Sequence, residues 1–318
     1  FPSRNSRKCA AVFFRTIKQF IRIWQIGDTM KTIVFGEVIF DIYPDEALLG
    51  GAPLNFSAHL ATLKDSVWLF SAVSENDGYG ARVLSALTHY GIGCELMQKN
   101  SAPTGSCRVT LDERKIPRYS IATDCAHDRI SVTDRELQVI RSIGADVFYF
   151  NTLIQRDTVS RKALEKILGT CTFSDIFCDI NLREGCYDRE SVLTCLTHAT
   201  YFKLSDGEVD ALFDFGLLPR TEEISDVPRL LCEKYPNIRY AILTLGAEGS
   251  MVYDASASML CRSGIPEKVD VVSTVGAGDC YGATFLHSIY HGLTVSDAVK
   301  AATERSGIVV SHKEAVPF

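Results

Sequence analysis

The residues best suited to chemistry in this chain form a short glycine-rich segment that ends in an acid. Gly276, Ala277 and Gly278 directly precede Asp279, and a long apolar helical pattern begins with them. Small residues at a helix start let unpaired backbone N–H groups approach a ligand, and the helix dipole favours an anion there. A phosphate group fits such a site. The Asp279 carboxylate either caps the helix or, beside a phosphate, takes a proton from an attacking hydroxyl.

Motifs of other nucleotide sites and of common hydrolases are missing from the sequence. Gly276, Gly278 and Gly282 are spaced G-x-G-x-x-x-G, which differs from the dinucleotide fingerprint G-x-G-x-x-G. The sequence contains no G-x-x-x-x-G-K-[ST] P-loop and no G-x-S-x-G nucleophile elbow. Dinucleotide-binding, P-loop and serine-hydrolase interpretations therefore lack their usual support.

Two further glycine segments allow a structural and a functional interpretation each. Gly50 and Gly51 precede Asn55 at the start of a helical pattern. In the structural interpretation these residues form a turn and the start of a helix. In the functional interpretation the glycines allow close approach of a polyhydroxylated substrate, and the Asn55 side-chain amide hydrogen-bonds the hydroxyls of that substrate. Gly246 and Gly249 follow an apolar strand pattern. They suit a hairpin turn as well as a backbone that contacts a nucleotide.

A pair of histidines has a spacing that could hold a metal ion. His287 and His291 are four residues apart on one predicted helix face. The H-E-x-x-H motif is missing, and the three residues between them include no acid. We interpret the pair as packing or surface histidines.

Composition indicates a globular protein with a small-molecule site. The 318 residues are 46% hydrophobic and carry a net charge of −6, which gives no general attraction to nucleic acid or to an anionic membrane. No run of 18 apolar residues is present to span a bilayer. The 11 cysteines form no C-x-x-C pair, which favours buried free thiols in a reducing cytoplasm.

The first 29 residues differ sharply in charge from the rest. Residues 1–29 carry +5, and the remainder carries −11. We place a boundary at Met30, the expected native start. The leader is either a non-native upstream extension, which we favour, or an Arg/Ser-rich targeting segment.

The body alternates strand-like and helix-like patterns, as expected for a mainly parallel sheet covered on both faces. Predicted strands are 32–35, 67–73, 146–150, 176–180, 201–204, 241–245 and 251–253. Predicted helices are 55–63, 80–90, 159–168, 190–196, 207–213, 227–235, 278–291 and 296–310. Two extended segments without helices, 38–50 and 105–122, suit a small projecting sheet.

Six motifs occur in a characteristic order along the body. They are GEVIFD (36–41), GGAPLN (50–55), DINLR (179–183), KLSDGE (203–208), TLGAEG (244–249) and TVGAGD (274–279). In this order the sequence resembles the ribokinase-like (PfkB) carbohydrate kinases, most closely their fructokinase branch. The resemblance extends from about Met30 to the C-terminus.

The resemblance implies an α/β fold for residues 30–318: a ribokinase-like three-layer α/β/α sandwich with a mainly parallel central sheet and a small β-sheet lid formed by 38–50 and 105–122. It implies an enzyme that transfers the γ-phosphoryl group of ATP to a primary hydroxyl of a monosaccharide, with fructose favoured. The alternatives are a kinase for 2-keto-3-deoxygluconate or another sugar, and a catalytically silent sugar- or nucleotide-binding regulator.

The resemblance also assigns site residues. The anion hole would be Gly276, Ala277 and Gly278, with Asp279 as general base. Sugar hydroxyls would be bound by Asp41, Gly50, Gly51 and Asn55. The nucleotide side would be formed by Asn181, Lys203, Ser205, Glu208, Thr244, Gly246 and Gly249.

The resemblance implies Mg²⁺ with ATP as co-substrate, and Glu208 would act on the magnesium ion through water. Ser273 stands where potassium-activated relatives have Asp, so potassium activation is open but disfavoured. The expected partners are a sugar and ATP, without nucleic acid or membrane, and a homodimer through the lid is compatible with the family.

Overall fold

Short apolar strands alternate with helices along the chain, as the hydrophobic pattern predicts. The computed structural model describes residues 29–111, 117–264 and 269–318. The predicted leader lies outside the described residues except for Thr29, as do residues 112–116 of the second lid segment. The strands are β1 (Lys31–Phe35), β2 (Ile39–Ile42), β3 (Ala47–Gly50), β4 (Ser66–Phe70), β5 (Ala72–Ser74), β6 (Gln98–Asn100), β7 (Gly105–Leu111), β8 (Pro117–Ile121), β9 (Val147–Asn151), β10 (Asp175–Asp179), β11 (Tyr201–Ser205), β12 (Tyr240–Thr244), β13 (Ser250–Asp254) and β14 (Met259–Ser263).

The helices fill the intervals between these strands. They are α1 (Ala52–Thr62), α2 (Gly78–Tyr90), α3 (Asp134–Ile143), α4 (Thr158–Thr170), α5 (Arg189–His198), α6 (Val209–Asp214), α7 (Val227–Lys234), α8 (Ala277–Tyr290) and α9 (Val295–Val309). Of the helices in the described part of the chain, none combines the length and the apolar character needed to cross a membrane.

The central sheet has eight strands in the order β14-β13-β12-β11-β10-β9-β1-β4. Neighbours from β12 to β4 run parallel, and β13 and β14 add an antiparallel edge. Both faces are buried: on β9, Phe148 belongs to one core cluster together with Leu164 and Val192, whereas the adjacent Tyr149 belongs to a second core cluster together with Phe285. The mainly parallel three-layer prediction is confirmed.

A separate small sheet has the order β3-β2-β7-β8. Strand β2 pairs antiparallel with β3 and parallel with β7, and β8 pairs antiparallel with β7. These strands come from the two segments predicted to project as a second sheet. Because β2 follows β1 after only three residues, 36–38, the small sheet begins directly beyond the carboxyl end of β1.

One local prediction was wrong, and three elements, β6, β14 and α3, were not predicted. Residues 67–73 form two strands: the Phe70 carbonyl accepts a hydrogen bond from the Gly36 amide at 3.1 Å, and beyond Ser71 the chain pairs with β6 in a two-stranded sheet. Helix α3 was not predicted, although Thr133-x-x-Glu136 is a capping-box sequence. The Glu136 carboxylate accepts from the Thr133 amide at 2.9 Å.

Gly93 gives a test of packing at the edge of the central sheet. Its backbone bridges to Trp68 on β4, and a Cβ atom at Gly93 would overlap the Trp68 indole ring. The Trp68 ring also packs against the hydrophobic core, so the new methyl group would force the ring or the backbone to move. We therefore expect Gly93→Ala to lower the free energy of unfolding by about 1–3 kcal/mol in urea titrations.

Gly169→Ala is the matched control for this substitution. Gly169 lies in α4, and a Cβ atom added there would have no neighbouring atom within 4 Å. Alanine at this position should therefore be neutral or stabilise by up to about 1 kcal/mol. Equal effects of the two substitutions would contradict the packing argument.

Candidate active site

The carboxyl ends of the parallel strands bring polar residues to one edge of the central sheet. Asp179 ends β10 and pairs in register with Asn151 on β9 and with Lys203 on β11. Ser205 ends β11 opposite Thr244 on β12. Ligands of open α/β sheets bind at this edge, so these positions lie where a site is expected.

Two helices begin at this edge with glycine at their N-caps. Gly51 precedes α1 with φ 105°, and Gly276 precedes α8 with φ 82°; neither start has a side-chain cap hydrogen bond. A Cβ atom would lie 3.0 Å from the Glu37 carbonyl oxygen at Gly51 and 2.7 Å from the Ala315 carbonyl oxygen at Gly276. Glycine is therefore required for conformation and for space, and no side chain caps the first turn of either helix. In α8 the Ala277 amide donates to the Thr274 carbonyl at 3.3 Å.

A hydrogen bond joins the first turns of these two helices. The side-chain amide nitrogen of Asn55 in α1 donates to Asp279 Oδ2 in α8 at 2.8 Å. Burial raises the pKa of Asp279 above its usual value, against the opposing effects of Asn55, Lys203 and Arg183. The carboxylate is thus fixed across the site with a basicity above that of an exposed aspartate.

A buried ion pair lies beside the start of α8. Lys203 Nζ donates to Asp179 Oδ2 at 2.6 Å, and both residues are 5% exposed. A Cβ atom at Gly278 would be 3.3 Å from that Nζ. Burial opposes the charge of Lys203, but Asp179, Glu208 and Asp279 together hold its pKa above the usual value. A permanent positive charge therefore adjoins the glycine-rich helix start.

Glu208 has both carboxylate oxygens engaged by the chain itself. Oε1 accepts from the Leu182 amide at 2.6 Å, and Oε2 accepts from the Ser205 amide at 2.7 Å and the Ser205 hydroxyl at 2.8 Å. Burial and the Asp179 charge raise its pKa. The remaining lone pairs suit the waters that Mg²⁺ retains, so the residue fits a metal contact through water.

The predicted sugar-side residues lie together where the small sheet meets α1. Asp41 is on β2, and a Cβ atom at neighbouring Gly50 would be 3.7 Å from Asp41 Oδ2. Burial raises the pKa of Asp41, and the charge of Arg183 opposes the increase. Gly51 follows Gly50 directly, and Asn55, in the first turn of α1, reaches Asp279 at the start of α8.

The predicted nucleotide-side residues are arranged along strand ends and turns. Asn181 follows β10 with φ 42°, a left-handed conformation that is uncommon for residues other than glycine. Thr244 Oγ1 donates to the Leu204 carbonyl at 3.4 Å, and Gly246 is exposed in the next turn. Gly249 closes the β12–β13 hairpin, where a Cβ atom would overlap the Ser263 carbonyl. For Gly249 the turn interpretation is sufficient.

Sequence reasoning missed a buried acid at the centre of the site. Glu37 is 1% exposed, and the Asn151 side-chain nitrogen donates to both of its oxygens, at 2.9 and 3.1 Å. Burial raises the pKa of Glu37 to about 7. The GEVIFD motif contained the signal, but nothing in it indicated the partner on β9.

Arg183 was missed as well. Its side chain is exposed, and its charge lowers the pKa values of four carboxylates: Glu37, Asp41, Asp179 and Asp279. It ends the DINLR motif, which supplied a signal. Together with Lys203 it provides positive charge for a site that otherwise holds acids.

Known proteins share the sequence pattern. The family model described as pfkB family carbohydrate kinase matches residues 34–317. Fructokinase-2 of Zea mays is 24% identical over 314 residues, 90% of either chain. A 5-dehydro-2-deoxygluconokinase of Clostridium tetani is 25% identical over 91% of this chain and 90% of its own.

Solved structures share the fold. Fructokinase from Vibrio cholerae, with fructose, ADP and calcium bound, superposes with a TM-score of 0.74 at 19% identity, covering 91% of this chain and 95% of its own. A putative ribokinase II from E. coli, in complex with ATP and Mg²⁺, gives the same TM-score of 0.74 at 19% identity, with 91% and 95% covered. The ribokinase-like fold prediction is confirmed.

The raised pKa of Glu37 predicts a pH dependence of stability. In the unfolded chain the group titrates near 4.5 and in the folded chain near 7, so the folded state binds the extra proton between these values. Its contribution to stability is therefore lost as pH rises through this window. Glu37→Gln stays neutral, so its unfolding free energy relative to the parent should rise by up to about 3 kcal/mol from pH 5 to pH 8.

Urea titrations at the two pH values measure this change. Glu165→Gln on the exposed face of α4 is the control and should show no such pH-dependent difference. A Glu37→Gln effect of equal size at both pH values would contradict the assignment.

Proposed function

The chain belongs to the pfkB family of carbohydrate kinases, and from that premise we propose that it phosphorylates a monosaccharide with ATP, using Asp279 as general base. The observation that carries the proposal is the position of Asp279 in the first turn of an open helix start. Asn55 holds it by a hydrogen bond of 2.8 Å. A proton acceptor and a phosphate-binding backbone are thus within a few residues of each other.

In the proposed reaction a primary sugar hydroxyl attacks the γ-phosphorus of ATP. The new bond joins the hydroxyl oxygen to phosphorus, the bond to the bridging oxygen breaks, and its electron pair leaves with ADP. Asp279 accepts the hydroxyl proton. The amides of Gly276, Ala277 and Gly278 and the charge of Lys203 offset the negative charge of the transferred group.

The nucleotide would occupy the carboxyl edge of the sheet from α8 towards β12. Val271 and Val272 are 66% and 63% exposed just before α8, an apolar surface that suits a purine base. Asn181, Thr244 and Gly246 would face the nucleotide. Bound Mg²⁺ would neutralise phosphate charge, and Glu208, with Ser205 fixing its orientation, would hold the waters around it.

The sugar would lie between the small sheet and α1. Asp41 and Asn55 can bind adjacent hydroxyls, Gly50 leaves room for close approach beside Asp41, and Gly51 would contribute its backbone. Fructose is the proposed sugar, supported by the likeness to maize fructokinase and by the fructose-bound Vibrio structure. The small sheet would act as a lid that excludes water from the transfer.

Arg183 supports a second candidate substrate, an acidic sugar such as 2-keto-3-deoxygluconate. Its guanidinium interacts electrostatically with Asp41, so a sugar carboxylate entering there would find an exposed cation. The likeness to a 5-dehydro-2-deoxygluconokinase also supports an acidic sugar as substrate. The two candidates differ in the charge presented to Arg183.

The setting of the enzyme is part of the same proposal. Buried thiols such as Cys178, Cys195 and Cys280 support a reducing cytoplasm. The outer strands of the small sheet, β3 and β8, are edges that a second copy could cover in a homodimer. Potassium activation is disfavoured, because Ser273 stands where potassium-activated relatives have Asp.

Sugar-dependent ADP production, measured with the chain from Met30, tests the substrate. Fructose, ribose, glucose, fructose 6-phosphate and 2-keto-3-deoxygluconate are compared in parent and Arg183→Gln proteins. We expect fructose to give the highest kcat/KM, with the variant changing its KM little. A preference for the acidic sugar that Arg183→Gln abolishes would replace fructose by the second candidate.

The general base is tested by Asp279→Asn. The amide keeps an oxygen for the Asn55 hydrogen bond but cannot take the proton, so we expect kcat to fall by about 10²–10⁴-fold. Nucleotide affinity, measured by calorimetry, should stay within a few-fold.

Asp214→Asn is the control, because Asp214 is an exposed acid at the C-terminal end of α6. It should retain parental turnover. Parental turnover in Asp279→Asn as well would rule out the base assignment.

A further inference from the structure

A second cluster of titratable side chains lies at the other end of α8. Asp65 follows α1, and its carboxylate side chain is 1% exposed. His287 Nδ1 lies 2.7 Å from Asp65 Oδ2, and His291 Nε2 lies 3.1 Å from Asp65 Oδ1. The two imidazole rings are 4.4 Å apart between centroids. The fold has brought a carboxylate to the histidine pair from 222 residues away.

These three side chains have the composition and spacing of a metal site. One ligand atom from each of Asp65, His287 and His291 can be chosen so that all lie within 4.8 Å of one another. Zinc binds imidazole nitrogen and carboxylate oxygen at about 2.0–2.2 Å, so ligands around one ion are separated by about 3–4 Å. The 3.1 Å from His291 to Asp65 lies in this range, and the ion would replace the shorter contact of 2.7 Å between His287 and Asp65. The side chains of His287 and His291 are 13% and 16% exposed, which gives an ion access from solvent.

We propose that Asp65, His287 and His291 form a binding site for a divalent transition metal ion of the zinc class. Two imidazoles and one carboxylate select such an ion over Mg²⁺, which prefers oxygen ligands. This site is therefore chemically distinct from the magnesium site of the proposed kinase reaction. It is independent of which sugar is phosphorylated.

The location assigns the ion a structural role. About 12 Å of helix separates His287 from Asp279 in α8, so the ion would not touch the reacting groups. Asp65 follows the C-terminus of α1, whose first turn holds Asn55. The ion would therefore join the far ends of the two helices whose near ends are joined by the Asn55–Asp279 hydrogen bond.

Zinc binding to the full chain tests the proposal, with competition against a chromophoric chelator as the readout. Cys94 is an exposed thiol, so all proteins carry Cys94→Ser to remove a competing ligand. We expect one Zn²⁺ per chain, and His287→Gln and His291→Gln should each weaken the affinity more than about tenfold. His198→Gln and His312→Gln, at exposed histidines elsewhere, should leave it unchanged.

Thermal unfolding with and without Zn²⁺ gives a second readout that does not depend on catalysis. The ion should raise the Tm of the parent and of both control variants, and it should fail to raise the Tm of His287→Gln and His291→Gln. Circular dichroism of each variant verifies folding. Undetectable binding to the folded parent at micromolar Zn²⁺, or binding unchanged in both His287→Gln and His291→Gln, would overturn the proposal.

Discussion

The concentration of acids at one edge of the central sheet is the constraint on which the rest of the site depends. The edge holds four carboxylates within the electrostatic reach of Arg183: Glu37, Asp41, Asp179 and Asp279. Burial makes the charged form of each unfavourable, and three of the four accept a hydrogen bond from a particular neighbour. Asn151 donates to Glu37, Lys203 to Asp179 and Asn55 to Asp279. An acid fixed in this way has a defined position and a raised basicity, the two properties that proton removal from a hydroxyl requires.

The same constraint explains the glycines at the two helix starts. The Asn55–Asp279 hydrogen bond requires α1 and α8 to converge, and a side chain at Gly51 or Gly276 would be pressed against a backbone carbonyl. Ordinary side-chain caps would also occupy the amides that a phosphate needs. Absence of side-chain caps at these two starts therefore has a physical reason in the binding site. By contrast, α3 is capped by Thr133 in the usual way.

Much of this could be predicted from the sequence because its signals are local. Strand and helix patterns, the glycine-rich starts and Asp279 can be identified from adjacent residues. Partners distant in the chain could not be identified: Glu37 and Asn151 are 114 residues apart, and Asp65 and His287 are 222 apart. A lone pair of histidines four apart is more often packing than a ligand set, and only the fold places a carboxylate between them. The break after Phe70 escaped prediction for a similar reason, because its cause is pairing of the next residues with β6.

The course of α8 links these observations. One end presents the glycine-rich start and Asp279, and the other carries His287 and His291 close to Asp65, which follows the end of α1. Because α8 packs along α1, with Phe56 of α1 beside Gly282 of α8, a displacement of one helix at its far end would shift the other. The distance from Asn55 to Asp279 is the quantity such a shift would change, and proton transfer is sensitive to it. A tether between the far ends of the two helices would therefore preserve the distance from Asn55 to Asp279 without any contact with the substrate.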